Sequence, residues 1–262
     1  MTTHSPTPLM ALDIAELRFV HCHEGSVTVL RADPTSAELL QKIARTVPHA
    51  FLARRLVVCE GKTEDALCRV MDEAWSRTHH DLSMAYCGVA GIWGNGSEAP
   101  SVALELKRLK YGILYFGDSD KSLNPGASVL RDRGIEVVLW PGNVATEERV
   151  ALDLPLDSLQ RLVDGAIEVF GEQEVLDAIS SVLDQNVRQL GISLADWQSN
   201  GMAEETIRKA IGTAAKRTLG GWFKDITAGM HLGRIVADAI PLVSTSPLAV
   251  TLKRIEDWVY GT

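Results

Sequence analysis

Arg54-Arg55-Leu56-Val57-Val58-Cys59-Glu60-Gly61-Lys62-Thr63-Glu64 carries an apolar run of strand length that delivers a carboxylate directly into a glycine turn. Residues 56–59 fit a buried strand, and Glu64 falls four residues after Glu60 on what should be the first turn of a helix. The spacing predicts that both acids share one mouth. A similar event recurs where Tyr111-Gly112-Ile113-Leu114-Tyr115-Phe116-Gly117 runs into Asp118-Ser119-Asp120. Two apolar strands therefore each end in acids.

Outward from that stretch, Leu67, Val70, Met71 and Ala74 recur on one face of a helix expected over 64–76. An apolar patch over 82–89 is followed by Gly91-Ile92-Trp93-Gly94-Asn95-Gly96, which reads as a loop. A helix over 102–109 precedes the Asp118 strand. A third unit follows, helix over 126–133 and strand over 135–140, leading past Pro141-Gly142 to Thr146-Glu147-Glu148. Strands alternating with helices at this spacing imply a mostly parallel sheet flanked by helices, an α/β fold. From 147 to 219 apolar residues keep helical spacing, so an all-helical insertion of about four helices is expected beside the sheet. Upstream, strand-like runs at 17–23 and 27–30 flank Glu24-Gly25-Ser26 as a hairpin, and a helical pattern over 35–52 breaks at Pro48. The chain closes with a turn, Gly220-Gly221-Trp222-Phe223-Lys224, and helices over 231–239 and 247–260.

The 262 residues, 46% hydrophobic, suffice for a core without disulfides or a structural metal. Cys22, Cys59, Cys68 and Cys87 form no CxxC pair, and Cys59 inside a strand with Cys68 on the following helix suits buried thiols in a reducing cytosol better than bridges or zinc ligands. His21-Cys22-His23 alternates along a strand, so its side chains diverge and surface or structural roles are expected. No 18-residue apolar stretch and no signal pattern occur, so the reading is a soluble cytoplasmic protein with no membrane partner. A net charge of −8 argues against a general polyanion binder, although carboxylates that hold divalent cations contribute to it on paper. Locally the balance reverses. Between Thr206 and Lys224 stand Arg208, Lys209, Lys216, Arg217 and Lys224 with no acid, a candidate contact for DNA phosphates or else a solvated helix face.

In an open parallel sheet ligands bind beyond the carboxyl ends of the strands, where Glu60, Asp118 and Asp120 fall. Their hard oxygens suit Mg²⁺, and a carboxylate from Glu147 or Glu148 would complete a second ion's shell. Two ions ~4 Å apart would clamp the attacking and leaving oxygens of a phosphodiester. Each acid has a plainer reading: Glu64 as a first-turn helix acid, Asp120 as a turn cap, Glu147 or Glu148 as an N-terminal helix acid. Glu60, ending an apolar strand before glycine, has the weakest plain reading.

The 56–64 stretch, with Phe116-Gly117-Asp118-Ser119-Asp120 downstream, resembles the Toprim domain shared by topoisomerases, primases and certain nucleases. His49-Ala50-Phe51-Leu52-Ala53-Arg54-Arg55, the helical insert and Gly221-Trp222-Phe223-Lys224 resemble, more narrowly, the C-terminal half of OLD family ATP-dependent endonucleases. That resemblance implies a metal-dependent DNA endonuclease using Mg²⁺ or Mn²⁺, with Ca²⁺ as an inert or synergistic substitute. It implies Glu60, Glu64, Asp118, Asp120 and an acid at Glu147 or Glu148 as metal ligands, with Glu60 and Lys224 catalytic. Lys224 as a solvated loop lysine is the alternative. Trp222 and Phe223 are open between stacking on a base and anchoring the core.

The resemblance also implies an ATPase domain of the same protein as partner, with 1–34 its tail and Thr2-Thr3-His4-Ser5-Pro6 its switch-histidine loop. The Toprim core would cover 35–146, the insertion 147–219 and a completing part 220–262. No GxxxxGK[ST] motif occurs, so no ATP site is expected in this chain. Two rivals stand beside this reading. Asp118-Ser119-Asp120-Lys121-Ser122 approximates the nucleophile motif of haloacid-dehalogenase-like phosphatases, and a non-catalytic nucleic-acid-binding or assembly module would leave the acids without chemistry.

Overall fold

A computed structural model of the chain describes residues 3–217 and 221–261. Thr2 of the expected switch loop, Leu219 at the end of the expected insertion and Gly220 of the expected turn lie outside these residues. The chain opens with α1 (Pro6–Ala11) and an antiparallel hairpin, β1 (Phe19–His23) with β2 (Ser26–Leu30). After α2 (Ala37–Thr46) come β3 (Arg55–Cys59), α3 (Lys62–Ser76), β4 (Val89–Trp93), α4 (Ala99–Arg108), β5 (Gly112–Gly117), α5 (Ala127–Asp132) and β6 (Glu136–Leu139). These four later strands form one wholly parallel sheet in the order β4-β3-β5-β6. The α/β class and the parallel, Rossmann-like sheet flanked by helices expected from the sequence are present.

Alternation explains why the strand sequences are apolar throughout. Val57 and Cys59 of β3, Leu114 and Phe116 of β5, and Val138 of β6 enter one core, while Leu56, Val58, Ile113, Tyr115 and Val137 enter the other. The second face is covered by α2, α4 and α5, and the N-terminal segment packs there through Leu9, Ile14 and Phe19. The first face is covered by α3 and by the helical part of the chain: α6 (Thr146–Asp153), α7 (Leu156–Phe170), α8 (Glu172–Leu183), α9 (Leu194–Ser199), α10 (Glu204–Arg217), α11 (Ile226–Ala239) and α12 (Pro247–Tyr260). The helical part of the chain thus shares its core with the sheet. Along α3, α11 approaches closely, with Gly229 and Gly233 against Ala66 and Val70. At the other end of β3, Arg55 donates to the carbonyls of Trp258 and Val259, at 2.6 and 2.8 Å, and so caps α12.

One expectation needs correction. Gly91, Ile92 and Trp93 belong to β4, paired residue by residue with Val57, Val58 and Cys59, whereas residues 82–88 form a turn. Glycine flanking suggested a loop, but burial of Val89 and Ile92 beside β3 outweighs that local preference. Cys59 and Cys68 are buried free thiols 4.0 Å apart, as expected. Among the described residues, no single helix is long and apolar enough to cross a membrane.

Candidate metal centre

The chain leaves β3 for β4 on one side and then returns to β5 on the other, so the order reverses between β3 and β5. A crevice opens at the carboxyl ends of such a strand pair. Cys59 lies beside Phe116, and the Glu60 N–H donates to the Phe116 carbonyl at 2.8 Å, so Glu60 and Asp118 emerge side by side. Glu60 Oε2 accepts from the Asp118 N–H at 3.1 Å and from the Tyr115 hydroxyl at 3.4 Å. Gly117 makes room for this arrangement, since a Cβ there would sit 2.7 Å from Glu60 Oε2.

Glu64 is the third residue of α3 and performs two tasks. Its Oε2 accepts from the Gly61 N–H at 2.8 Å, closing the helix start, so the plain reading as a first-turn acid holds in part. Its Oε1 lies 2.6 Å from the Thr146 hydroxyl. Thr146 also donates its N–H to Asp118 Oδ1 at 2.8 Å, with its hydroxyl 3.0 Å from the same oxygen, and the indole N–H of Trp140 donates to that hydroxyl at 2.7 Å. Thr146, fully buried, is the hub on which Glu64 and Asp118 meet. No motif marks Thr146, Trp140 or Tyr115; the sequence signal of Thr146 is its position as the first helical residue after a strand end.

Glu147 and Glu148 take different places. Glu147 is buried, with Oε1 2.8 Å from Lys224 Nζ and Oε2 without a hydrogen bond among the described residues. Glu148 caps α6 through the Ala145 N–H at 2.9 Å and also holds Lys216 Nζ at 3.0 Å. Lys216 reaches Asp120 Oδ2 as well, at 2.7 Å. Ser119 turns away, exchanging hydrogen bonds with Val144 and so pinning the β5 exit to the loop before α6. The site therefore has an inner group, Glu60, Glu64, Asp118 and Glu147 with Lys224, and an outer group, Asp120 and Glu148 with Lys216. Lys224 reaches inward because Gly221, at φ +65°, lets the lysine stem pass where a Cβ would lie 2.5 Å from Lys224 Cγ.

The crowding shows in the electrostatics. Burial, then Glu64, Glu147 and Glu60, push the Asp118 pKa up from 3.8 to about 8. Burial likewise raises Glu64, with Glu147 adding and the Thr146 hydrogen bond opposing. Burial works against a charged Lys224, but Glu147, Glu64 and Asp118 overcome it and raise its pKa.

Sequence comparison matches no protein-family model and no curated protein. Among solved structures, the C-terminal region of the Xanthomonas campestris pv. campestris OLD protein is similar. The two are 14% identical with a TM-score of 0.34, aligned over 73% of this chain and 96% of that one.

Among the described residues, no three acid, histidine or cysteine side chains stand at the spacing of a finished metal cage. Thr146, Lys216 and Lys224 hold the carboxylates instead. The donor set nevertheless fits a hard divalent cation: it is all oxygen, Glu147 has a buried oxygen without a hydrogen bond among the described residues, and burial, then the neighbouring carboxylates, raise the Asp118 pKa, as expected where negative charge is gathered.

The basic stretch divides differently from the expectation. Arg208 pairs with Glu204 and donates to the carbonyls of Ala151, Leu152 and Leu154, capping α6, so it is occupied within the fold. Lys209 pairs on the surface with Glu205. Both acids lie just before the acid-free window, one helical turn away, which is why counting within the window overstated the positive charge. Lys216 and Lys224 face the acids, and Arg217 is exposed. Trp222 and Phe223 are buried, which favours the core-anchor reading over base stacking.

Proposed function

We propose that this chain is a divalent-metal-dependent DNA endonuclease, the nuclease region of an OLD-family protein whose partner is an ATPase portion of the same polypeptide. The observation that carries the reading is the convergence of Glu60, Glu64, Asp118 and Glu147 at the carboxyl ends of β3 and β5, with Lys224 paired among them. These four would hold Mg²⁺ or Mn²⁺, and Asp120 with Glu148 would supply oxygens for a second ion. Such ions, when bound, make water nucleophilic near neutral pH and neutralise charge on a cleaved phosphodiester.

The chain's own residues do the rest. Tyr115 and the Asp118 N–H fix Glu60, and Thr146 orients Glu64 and Asp118. The Lys224 ammonium, held at the inner acids, is placed to pair with a nonbridging phosphate oxygen and so position the scissile bond. Contacts to DNA of this kind are to the backbone and independent of base sequence.

The phosphatase rival is less well served. Asp118 Oδ1 is already engaged by Thr146, and β5 is the third strand of the sheet in chain order, whereas that motif belongs on the first. Glu60, Glu64 and Glu147 would also have no task.

The test is incubation of the protein with supercoiled plasmid and Mg²⁺ or Mn²⁺. Nicking that disappears in EDTA and in Glu60→Ala supports the nuclease. DNA retained on a gel without nicking at any metal concentration points to a binding module. Hydrolysis of a phosphomonoester that survives Glu60→Ala but not Asp118→Asn points to the phosphatase.

A further inference from the structure

Lys216 makes two close ion pairs with carboxylates from different elements, Asp120 after β5 and Glu148 on α6. One ammonium thus occupies the position between two oxygens where a cation is wanted. The lysine side chain is 28% exposed and its partners 11% and 21%, so water screens the contact only in part. The backbone beneath is fixed. Gly212 of α10 packs so tightly on α6 that an added Cβ would lie 2.8 Å from Glu148 Cα, and Arg208 caps the far end of α6. The ammonium itself sits on a flexible four-carbon stem. Glu148 Oε2 accepts from the Ala145 N–H as well as from the lysine, so it has a second donor within α6's own cap. Lys224 differs, because its partner Glu147 retains an oxygen that makes no hydrogen bond among the described residues.

We infer that Lys216 is a resident counter-cation for Asp120 and Glu148, which a divalent ion must displace to fill the outer half of the site. The inference rests on the metal reading proposed above. It makes occupancy of the outer position a competition between an ammonium and a divalent ion for the same oxygens. The displaced lysine stays tethered at the mouth, beside any phosphate bound there.

The experiment is titration of metal-free protein with Mn²⁺, free ion being read by electron paramagnetic resonance. The expected result is that Lys216→Met lowers the Kd of the weaker Mn²⁺ by about tenfold or more, because one positive charge leaves the ion's immediate surroundings. Lys216→Arg should stay within about twofold of the wild type, as should Lys253→Met on the remote α12. Should the Met variant fail to fold, Lys216→Gln removes the charge while keeping a hydrogen-bonding end. An unchanged or weaker Mn²⁺ affinity in a folded, charge-free variant overturns the inference and leaves the metal reading intact. Wild-type protein that binds no Mn²⁺ overturns both.

Discussion

The Thr146 hydroxyl lies 2.6 Å from Glu64 Oε1, tying the first turn of α6 to the first turn of α3. The same oxygen accepts from Trp140 and stands 3.0 Å from Asp118 Oδ1. The one hydroxyl proton serves Glu64, while the Thr146 N–H donates to Asp118 Oδ1 at 2.8 Å. Burial raises the pKa of both carboxylates. Thr146→Val should leave the indole N–H and a Glu64 oxygen buried without partners, costing about 2 kcal/mol in urea unfolding. Mn²⁺ affinity should fall by about tenfold or more, and Thr146→Ser should recover most of both.

Stability of the metal-free protein should depend on pH in a direction set by Asp118. Its pKa is about 8 in the fold against an ordinary 3.8, so between those values the folded chain holds a proton that the unfolded chain lacks. Stability therefore falls as pH rises through that window. Glu64 acts in the same direction. Lys224, raised from 10.5, loses its contribution only above the window and leaves the sign unchanged. In EDTA the urea midpoint should drop from pH 5 to pH 8, and Asp118→Asn should flatten the curve. Saturating Mn²⁺ should stabilise more at pH 8 than at pH 5, because binding expels the proton.

Neighbouring glutamates should behave unequally. Glu147→Gln removes charge from the inner group and should reduce plasmid nicking by more than about a hundredfold, beyond the usual range for a supporting residue. Glu148→Gln touches the outer group and the α6 cap, and a loss of about tenfold is expected. Equal losses in initial nicking rates would contradict the division into inner and outer acids.

Arg208→Ala should cost about 1–3 kcal/mol of stability, because it strips hydrogen bonds from the last carbonyls of α6. The salt dependence of DNA binding should not change. A shallower slope of log affinity against log salt would return Arg208 to the set of phosphate contacts.

Gly221→Ala forces a Cβ into the Lys224 stem at a positive φ. Backbone strain of about 1–3 kcal/mol and a nicking defect like that of Lys224→Met are expected. Thermal unfolding alongside nicking rates separates the two effects.

The parallel sheet and the acids at its strand ends were legible because both follow from local pattern: continuous apolar runs, then a carboxylate at a turn. β4 was half-hidden, since Gly91 and Gly94 signal a loop until β3 lies beside them. Thr146 was illegible for a related reason. A buried threonine acquires meaning only when α3, β5 and α6 converge on its hydroxyl, and no spacing records that. The different places of Glu147 and Glu148 depend on the phase of α6, which a loop-bounded helix does not reveal in sequence. Arg208 misled because its partners lie one turn upstream of the window in which charge was counted.

The alternation along β3 carries a further consequence. Val57 and Val58 are adjacent residues, yet each belongs to a different core, so the sheet is a party wall between two apolar compartments. Neither compartment can come apart without taking away the other's lining. For all that the sequence reads as tail, core, insertion and closing part, the whole should melt as one calorimetric unit, and a half-unfolded form with an intact acid mouth should have no stable existence.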